Sequence, residues 1–296
     1  MAAAFKQMKW LIAGANGQLG RCLQQTLESN SIEYAAYSKE EIDITDYSLV
    51  CDVINRVKPD IIVNAAAYTN VDQAEIDQSE AFAINQAGVA NLANASKLVN
   101  VRLIHFSTDY VFSGESAKPW QVSDATNPVS KYGESKLAGE LEIARIYPEN
   151  SVIIRTAWLY SHFGKNFYKT MLNKAINGQE IVRVVNDQIG QPTNANDVAE
   201  LTLRAISKKA SPGIYHGTNY GACSWFEFAK FIFEIAGEDV NRVVPVPTSE
   251  FATRAKRPKY SVLDGQKWLE SGIEPLGPWK DSVRKMLPAM TLSLRK

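Results

Sequence analysis

Cysteine is scarce in this chain and carries no pattern: Cys22, Cys51 and Cys223 form no CxxC spacing. Disulfide frameworks and thiolate metal sites need paired or clustered cysteines, so the three read as reduced thiols packed as small hydrophobes in a cytoplasmic protein. Histidine is equally rare, with three scattered residues and no metal constellation, so no metal is expected. Net charge is missing too, since 32 basic residues balance 32 acidic ones. A balanced surface offers no broad electrostatic footprint for nucleic acid or an anionic membrane, which leaves a small molecule as the expected partner. No apolar run approaches the roughly 18 residues of a membrane span. The opening MAAAFKQM lacks the apolar stretch of a secretory signal and reads as an added or frayed extension ahead of a start at Met8. Repeats and low-complexity linkers are also absent, so the parts of the chain are expected to pack tightly.

What the chain does have is alternation. KWLIA from Lys9 is a compact apolar run, GANGQLG follows, and RCLQQTLESN places Cys22, Leu23 and Leu27 at helical spacing. Tyr34 to Tyr37 reads as a strand, Tyr47 to Val57 as a helix ended by Pro59, and Ile61 to Ala67 as a strand covered on both faces. Helical spacing returns from Ala81 to Val99, VRLIHFSTDYVF is the next strand and its exit, a helix begins near Ser130, and Val152 to Arg155 is β-branched. Such alternation predicts an α/β fold, a Rossmann-type doubly wound parallel sheet. Past Trp158 the texture is richer in Trp, Tyr and Pro. We expect a dinucleotide-binding part over 1–157, with some later elements returning to it, and a smaller mixed α/β C-terminal part over 158–296 that binds substrate.

Gly14, Gly17 and Gly20 make GxxGxxG between the first strand and first helix. There the glycines allow a tight turn and close backbone approach, and a pyrophosphate sits against the helix N-terminus. Asn16, Gln18 and Leu19 share that loop. An NAD site usually carries an acid after the second strand, but this strand exits as Ser38-Lys39, which suits a 2′-phosphate. NADPH is therefore the expected cofactor, with NADH as an alternative; Lys39 reads equally as a solvated loop lysine. Asp43 and Ile44 are candidate adenine neighbours. Asn64, Ala65, Ala66 and Ala67, after the third strand, are small enough to admit a cofactor, although Ala66 reads as well as core.

Within NPVSKYGESKLAGE, Tyr132 and Lys136 stand one helical turn apart on one face. A phenol with a pKa near ~10 is a poor proton shuttle at neutral pH until a nearby positive charge tunes it. YxxxK alone is common on helix surfaces; its company is what raises it. The strand ending His105-Phe106-Ser107-Thr108-Asp109-Tyr110 brings hydroxyls to the sheet edge where a cofactor lies, and alternation lets only Ser107 or Thr108 readily reach a substrate. His105 itself reads as packing.

GANGQLG, VNAAAYTNVDQAE, FSTDYVFSG, YGESKLAGE, RTAWLY and DQIGQPT together resemble the extended short-chain dehydrogenase/reductases, most closely the dTDP-4-dehydrorhamnose reductase family, from about Met8 to the RPKYS segment near Arg257. The resemblance implies reduction of the C4 ketone of a dTDP-4-dehydro-β-L-rhamnose, in dTDP-rhamnose biosynthesis for cell-surface polysaccharide. It makes Tyr132 the proton donor, Thr108 its hydroxyl partner and Lys136 the residue that holds the cofactor ribose. It also implies that Asn85 supports the site, that Trp158 stacks on the sugar, that Asp109 contacts substrate, and that Arg257, or less well Arg254, meets the diphosphate. Some relatives carry an acid early in the first helix that bridges a magnesium-linked dimer. Cys22 stands there, so magnesium is not expected, while a homodimer remains open. A dehydratase of this superfamily carries Thr-Asp-Glu; Thr108-Asp109-Tyr110 lacks that glutamate and favours simple reduction over dehydratase or epimerase chemistry. The β subunit of methionine adenosyltransferase resembles the same family, so a regulatory subunit is the rival from another class.

Overall fold

A computed structural model describes residues 8–294; the question of whether the chain opens natively before Met8 lies outside them. The first strand, β1 (Trp10–Ala13), is buried along its whole length. Trp10 and Ile12 point into one hydrophobic core and Leu11 and Ala13 into another, as the period of two requires of a strand covered on both faces. Next come α1 (Gln18–Ser29), β2 (Tyr34–Tyr37), α2 (Tyr47–Val57) and β3 (Ile61–Asn64). Helix α2 starts where Asp46 accepts from the Leu49 N–H at 3.1 Å, and it ends on Lys58 in the left-handed region just before Pro59.

A short α3 (Gln78–Phe82) runs through a π-helical turn (Ala83–Gly88) into α4 (Val89–Leu98), followed by β4 (Arg102–Thr108), α5 (Lys131–Ile146) and β5 (Ser151–Thr156). The remaining elements are β6 (Leu159–Tyr160), α6 (Phe167–Asn177), β7 (Val182–Val185), β8 (Ile189–Gly190), β9 (Thr193–Asn194), α7 (Ala195–Ser207), β10 (Gly213–His216), β11 (Cys223–Ser224), α8 (Trp225–Ala236), β12 (Val243–Val246), α9 (Gln266–Glu270) and α10 (Trp279–Leu294).

Six strands form one parallel sheet in the order β10-β5-β4-β3-β1-β2. From β1 the chain steps to β2 on one side and then to β3 on the other, so the topological switch lies at the carboxyl ends of β1 and β3, where an open α/β sheet binds its ligand. Helices α2, α4 and α5 cover one face and α1 and α7 the other. Thus α7 and β10, deep in the second half of the sequence, complete the first sheet, and Trp268 of α9 packs there too. The smaller part is held by a separate aromatic core in which Tyr160, Tyr168, Phe228, Phe231 and Trp279 meet beneath three two-stranded pairings. Among the described residues no helix is long and apolar enough to cross a membrane, and no cluster of His, Cys, Asp or Glu could hold a metal ion.

Candidate active site

The site is built where β1, β3 and β4 end. Gly14 leaves β1 with φ +89°, and a Cβ there would come within 2.5 Å of the Ala66 backbone nitrogen, so only glycine lets these two loops touch. Helix α1 begins at Gly17 with no side-chain cap and no acid in its first turn, which leaves its N–H groups and positive dipole end free for an anion. Gly17, Gln18, Leu19, Ala65 and Ala67 line one end of a cavity of about 540 Å³. These small groups and the uncapped helix form a cradle that fits a dinucleotide pyrophosphate. Gln18 does more than line it: its Oε1 accepts from Ser161 Oγ at 3.0 Å and from Asn166 Nδ2 at 2.8 Å, tying the glycine loop to the second part. Asn16 is exposed.

At the end of β2, buried Ser38 donates its N–H to Glu41 Oε2, while exposed Lys39 lies 3.7 Å from Glu80. Asp43 accepts from the Thr45 N–H and hydroxyl, which hold its carboxyl below the usual range, and Ile44 is buried in the core. Asn85 sits in the π-helical turn, fully buried. It accepts from the Tyr68 N–H and donates to the Tyr68 carbonyl and to Ser135 Oγ, so it braces the loop after β3 against α5 rather than lining the cavity.

Four polar side chains converge on that cavity from two elements. Thr108 and Asp109 come from the end of β4, Tyr132 and Lys136 from α5. Helix α5 starts where Ser130 Oγ accepts from the Gly133 N–H at 3.2 Å. Gly133 then rests on the Tyr110 carbonyl, which a Cβ would meet at 2.3 Å, so the first turn of α5 presses directly on the turn that carries Thr108. One turn beyond Lys136, buried Glu140 takes a bidentate pair from Arg155 of β5 at 2.9 and 2.6 Å and pins the helix to the sheet.

Burial holds the Tyr132 phenol well above its ordinary pKa; the Thr108 hydroxyl pulls the other way, and Asp109 and Tyr110 push it further up. Tyr132 is accordingly a phenol that keeps its proton at neutral pH. Lys136 is pushed down to about 8, chiefly by burial, with the Glu140 carboxylate opposing. Its Nζ donates to the Phe106 carbonyl at 2.6 Å and lies 3.4 Å from His105 Nε2. The Thr108 hydroxyl donates to Asp109 Oδ1 at 3.0 Å and accepts from the Tyr110 N–H at 3.2 Å. Burial raises Asp109 to about 6 against the hydroxyls of Ser261 and Thr108, and its Oδ2 has no hydrogen-bond partner. Ser107 borders the cavity beside Thr108, so strand alternation does not separate the two there.

The far end of the cavity is aromatic. Trp158, at φ +45°, lies flat on Trp225 with ring centroids 3.5 Å apart and planes 9° from parallel. Its other face covers Gly190, where a Cβ would stand 2.5 Å from the indole. Trp158 is thus held between Trp225 and Gly190, and it lines the cavity. Trp225 of α8, whose sequence context shows only helix packing, lines the cavity together with Phe167 and Phe228. Exposed Lys165 and half-buried Asn166 line it too, and no motif singled them out. Arg257 is held from two sides: Nη1 donates to the hydroxyl of Tyr110, which lines the cavity, at 3.1 Å, and Nη2 pairs with Asp72 at 2.9 Å. Arg254 is exposed.

Known proteins share this sequence and fold. The sequence profile of the RmlD substrate binding domain matches residues 8–292. A dTDP-4-keto-6-deoxy-D-glucose reductase of Streptomyces niveus is 38% identical over 282 residues, 95% of this chain and 97% of that protein. A dTDP-4-dehydrorhamnose reductase of Aggregatibacter actinomycetemcomitans is 40% identical over 288 residues, 93% of this chain and 97% of that one. The crystal structure of the dTDP-4-dehydrorhamnose reductase of Bacillus anthracis in complex with NADP superposes with a TM-score of 0.91 at 39% identity, covering 95% of this chain and 99% of that one. Sequence and fold agree, and the chain belongs to the RmlD family of dTDP-4-keto sugar reductases.

Proposed function

We propose that this chain reduces the C4 ketone of dTDP-4-dehydro-β-L-rhamnose to dTDP-β-L-rhamnose with NADPH. The observation that carries the reading is the convergence of a protonated, half-buried Tyr132 with Thr108 and Lys136 on a single cavity, between a glycine cradle and an aromatic end. We take residues up to 157, with α7 and β10, as the cofactor half. Gly14, Gly17, Gln18, Leu19, Gly20, Ala65 and Ala67 hold the dinucleotide, and Ser38 with Lys39 takes the 2′-phosphate once Lys39 leaves Glu80. The Bacillus anthracis relative was solved with NADP, which favours the same choice.

NADPH supplies a hydride when bound there. As the ketone carbon accepts it, negative charge grows on the carbonyl oxygen, and Tyr132 gives that oxygen its proton, so that C=O becomes CH–OH. An alkoxide is a far stronger base than a phenolate, so a phenol held protonated by burial is a suitable acid for this step. The Tyr132 hydroxyl is a preorganised donor, and Lys136 offsets the phenolate charge that remains until the phenol is reprotonated. Trp158, Trp225 and Phe167 enclose the sugar and base, and Lys165 sits at the rim to meet the diphosphate. The absence of a glutamate after Asp109 separates this site from an eliminating one.

Steady-state assays of NADPH oxidation against a panel of dTDP-4-keto sugars test the proposal. We expect the highest kcat/KM with dTDP-4-dehydrorhamnose and a higher kcat/KM with NADPH than with NADH. Preference for another dTDP-4-keto sugar would move the substrate assignment; no turnover with any, alongside stoichiometric capture of another protein, would favour a regulatory subunit.

A further inference from the structure

Residues 161–166, between β6 and α6, leave the smaller part and lie as a strap against the start of α1. Two donors of the strap meet one oxygen of the helix: Ser161 Oγ reaches Gln18 Oε1 at 3.0 Å and Asn166 Nδ2 reaches it at 2.8 Å. Between them the Arg21 guanidinium stands over the Phe163 ring, 5.4 Å from its centroid.

The backbone decides how these amides face. Asn166 caps α6, and its Oδ1 accepts from the Lys169 N–H at 2.9 Å. A peptide N–H only donates, so the other side of the Asn166 amide is the donor Nδ2, which serves Gln18 and the Ser161 carbonyl, the latter at 2.7 Å. Gln18 must therefore turn its oxygen to the strap. It is also the first residue of α1, directly after Gly17, so its backbone belongs to the anion cradle while its side chain fastens the strap. The strap in turn brings exposed Lys165 to the cavity that Gln18 and Asn166 also line.

We propose that Gln18 is a positioning residue that couples the two binding sites: a dinucleotide seated in the cradle fixes Gln18, Gln18 fixes residues 161–166, and the fixed strap presents Lys165 to the sugar nucleotide. The coupling is one of order. Ordering a strap that contains exposed Gly164 and Lys165 costs conformational entropy, and a first ligand that has already fixed Gln18 leaves less of that cost to the second. By linkage the second ligand tightens the first by the same factor. The inference rests on the cofactor and sugar-nucleotide reading of the cavity, and its test keeps the two apart.

The full chain is titrated calorimetrically with dTDP, alone and saturated with NADP⁺. dTDP has no sugar to touch the nicotinamide, and two anions in one cavity repel, so tighter binding must come through the protein. In the wild type we expect dTDP to bind about tenfold more tightly to the NADP⁺ complex. NADP⁺ should also slow hydrogen exchange at the Phe163 amide, which donates to Ser161 Oγ at 3.1 Å. Gln18→Met keeps the side-chain length but loses the acceptor, so the ratio of the two affinities should fall to near one. Gln18→Glu keeps an oxygen for Ser161 and Asn166 and should retain the ratio even as its charge weakens both ligands. Ser161→Ala removes one of the two donors and should give an intermediate ratio, which carries the test if Gln18→Met does not fold. A side chain that merely supported the fold would weaken both complexes and leave the ratio unchanged. A wild-type ratio of one, or variants that keep the wild-type ratio, overturns the proposal. Failure of both NADP⁺ and dTDP to bind the wild type would overturn the reading of the cavity and the inference with it.

Discussion

The two ends of the cavity are built by opposite means. The cofactor cradle is made of backbone: Gly14, Gly17, Ala65 and Ala67 keep side chains out of the way, and the helix N-terminus supplies the polarity. The substrate end is made of bulk, with Trp158, Trp225, Phe167 and Phe228 gathered from three separate segments onto one wall. A cradle defined by absent atoms tolerates no additions. A wall defined by present rings loses function by degrees as rings are removed. Tyr132 stands between the two and depends on both.

Changes at the junction should therefore be the most severe. Tyr132→Phe removes the proton donor while keeping the ring, and we expect kcat to fall by roughly 10²–10⁴-fold with little change in either KM. Next in size is Gly14→Ala, which forces a Cβ into the Ala66 backbone at a positive φ. It should cost on the order of 1–3 kcal/mol of stability and abolish NADPH binding, measured by thermal denaturation and by fluorescence titration. Trp225→Ala should show the asymmetry directly: about a tenfold loss in kcat/KM for the dTDP-sugar with the Kd for NADPH unchanged. Equal damage to both would break the division into cradle and wall. Lys165→Ala should raise the KM for the sugar nucleotide only a few-fold, and the difference should shrink as salt rises, since an exposed charge is screened.

Asp109 sharpens the comparison through pH. Its folded pKa of about 6 stands above the ordinary carboxylate value, so the folded state binds its proton more tightly than the unfolded state. Its stabilising share is full below about pH 4 and is lost as pH rises through 6. Asp109→Asn should consequently raise the Tm relative to wild type at pH 8 and give no advantage at pH 4, as measured by calorimetry at the two pH values.

The difference between the two ends also explains how much could be read from sequence. Gly14, Gly17, Gly20 and the alanines after Asn64 lie in short local runs whose backbone demands leave a direct mark on residue type, and the doubly wound sheet follows from the same alternation. Tyr132 and Lys136 were legible because a helix puts residues four apart on one face. Trp225 was not, because nothing near it in sequence says that its ring meets Trp158, 67 positions away; only the fold brings them to 3.5 Å. Arg257 has the chemistry for a diphosphate, but its pairing with Asp72 and Tyr110 could not be read, because both come from segments far off in sequence. Helix α7 and strand β10 carry ordinary apolar patterns that fit either half, and the open edge of β5 is what claims them.

The account rests on Tyr132 completing a simple ketone reduction between cradle and wall, and isotope transfer tests this most directly. With NADPH deuterated at the nicotinamide C4 position that donates the hydride, dTDP-4-dehydrorhamnose should yield a product carrying one deuterium at sugar C4 for each NADPH oxidised, as read by NMR. A product formed without NADPH consumption, with sugar C4 unlabelled, would mean a cofactor recycled within the site and would contradict the account.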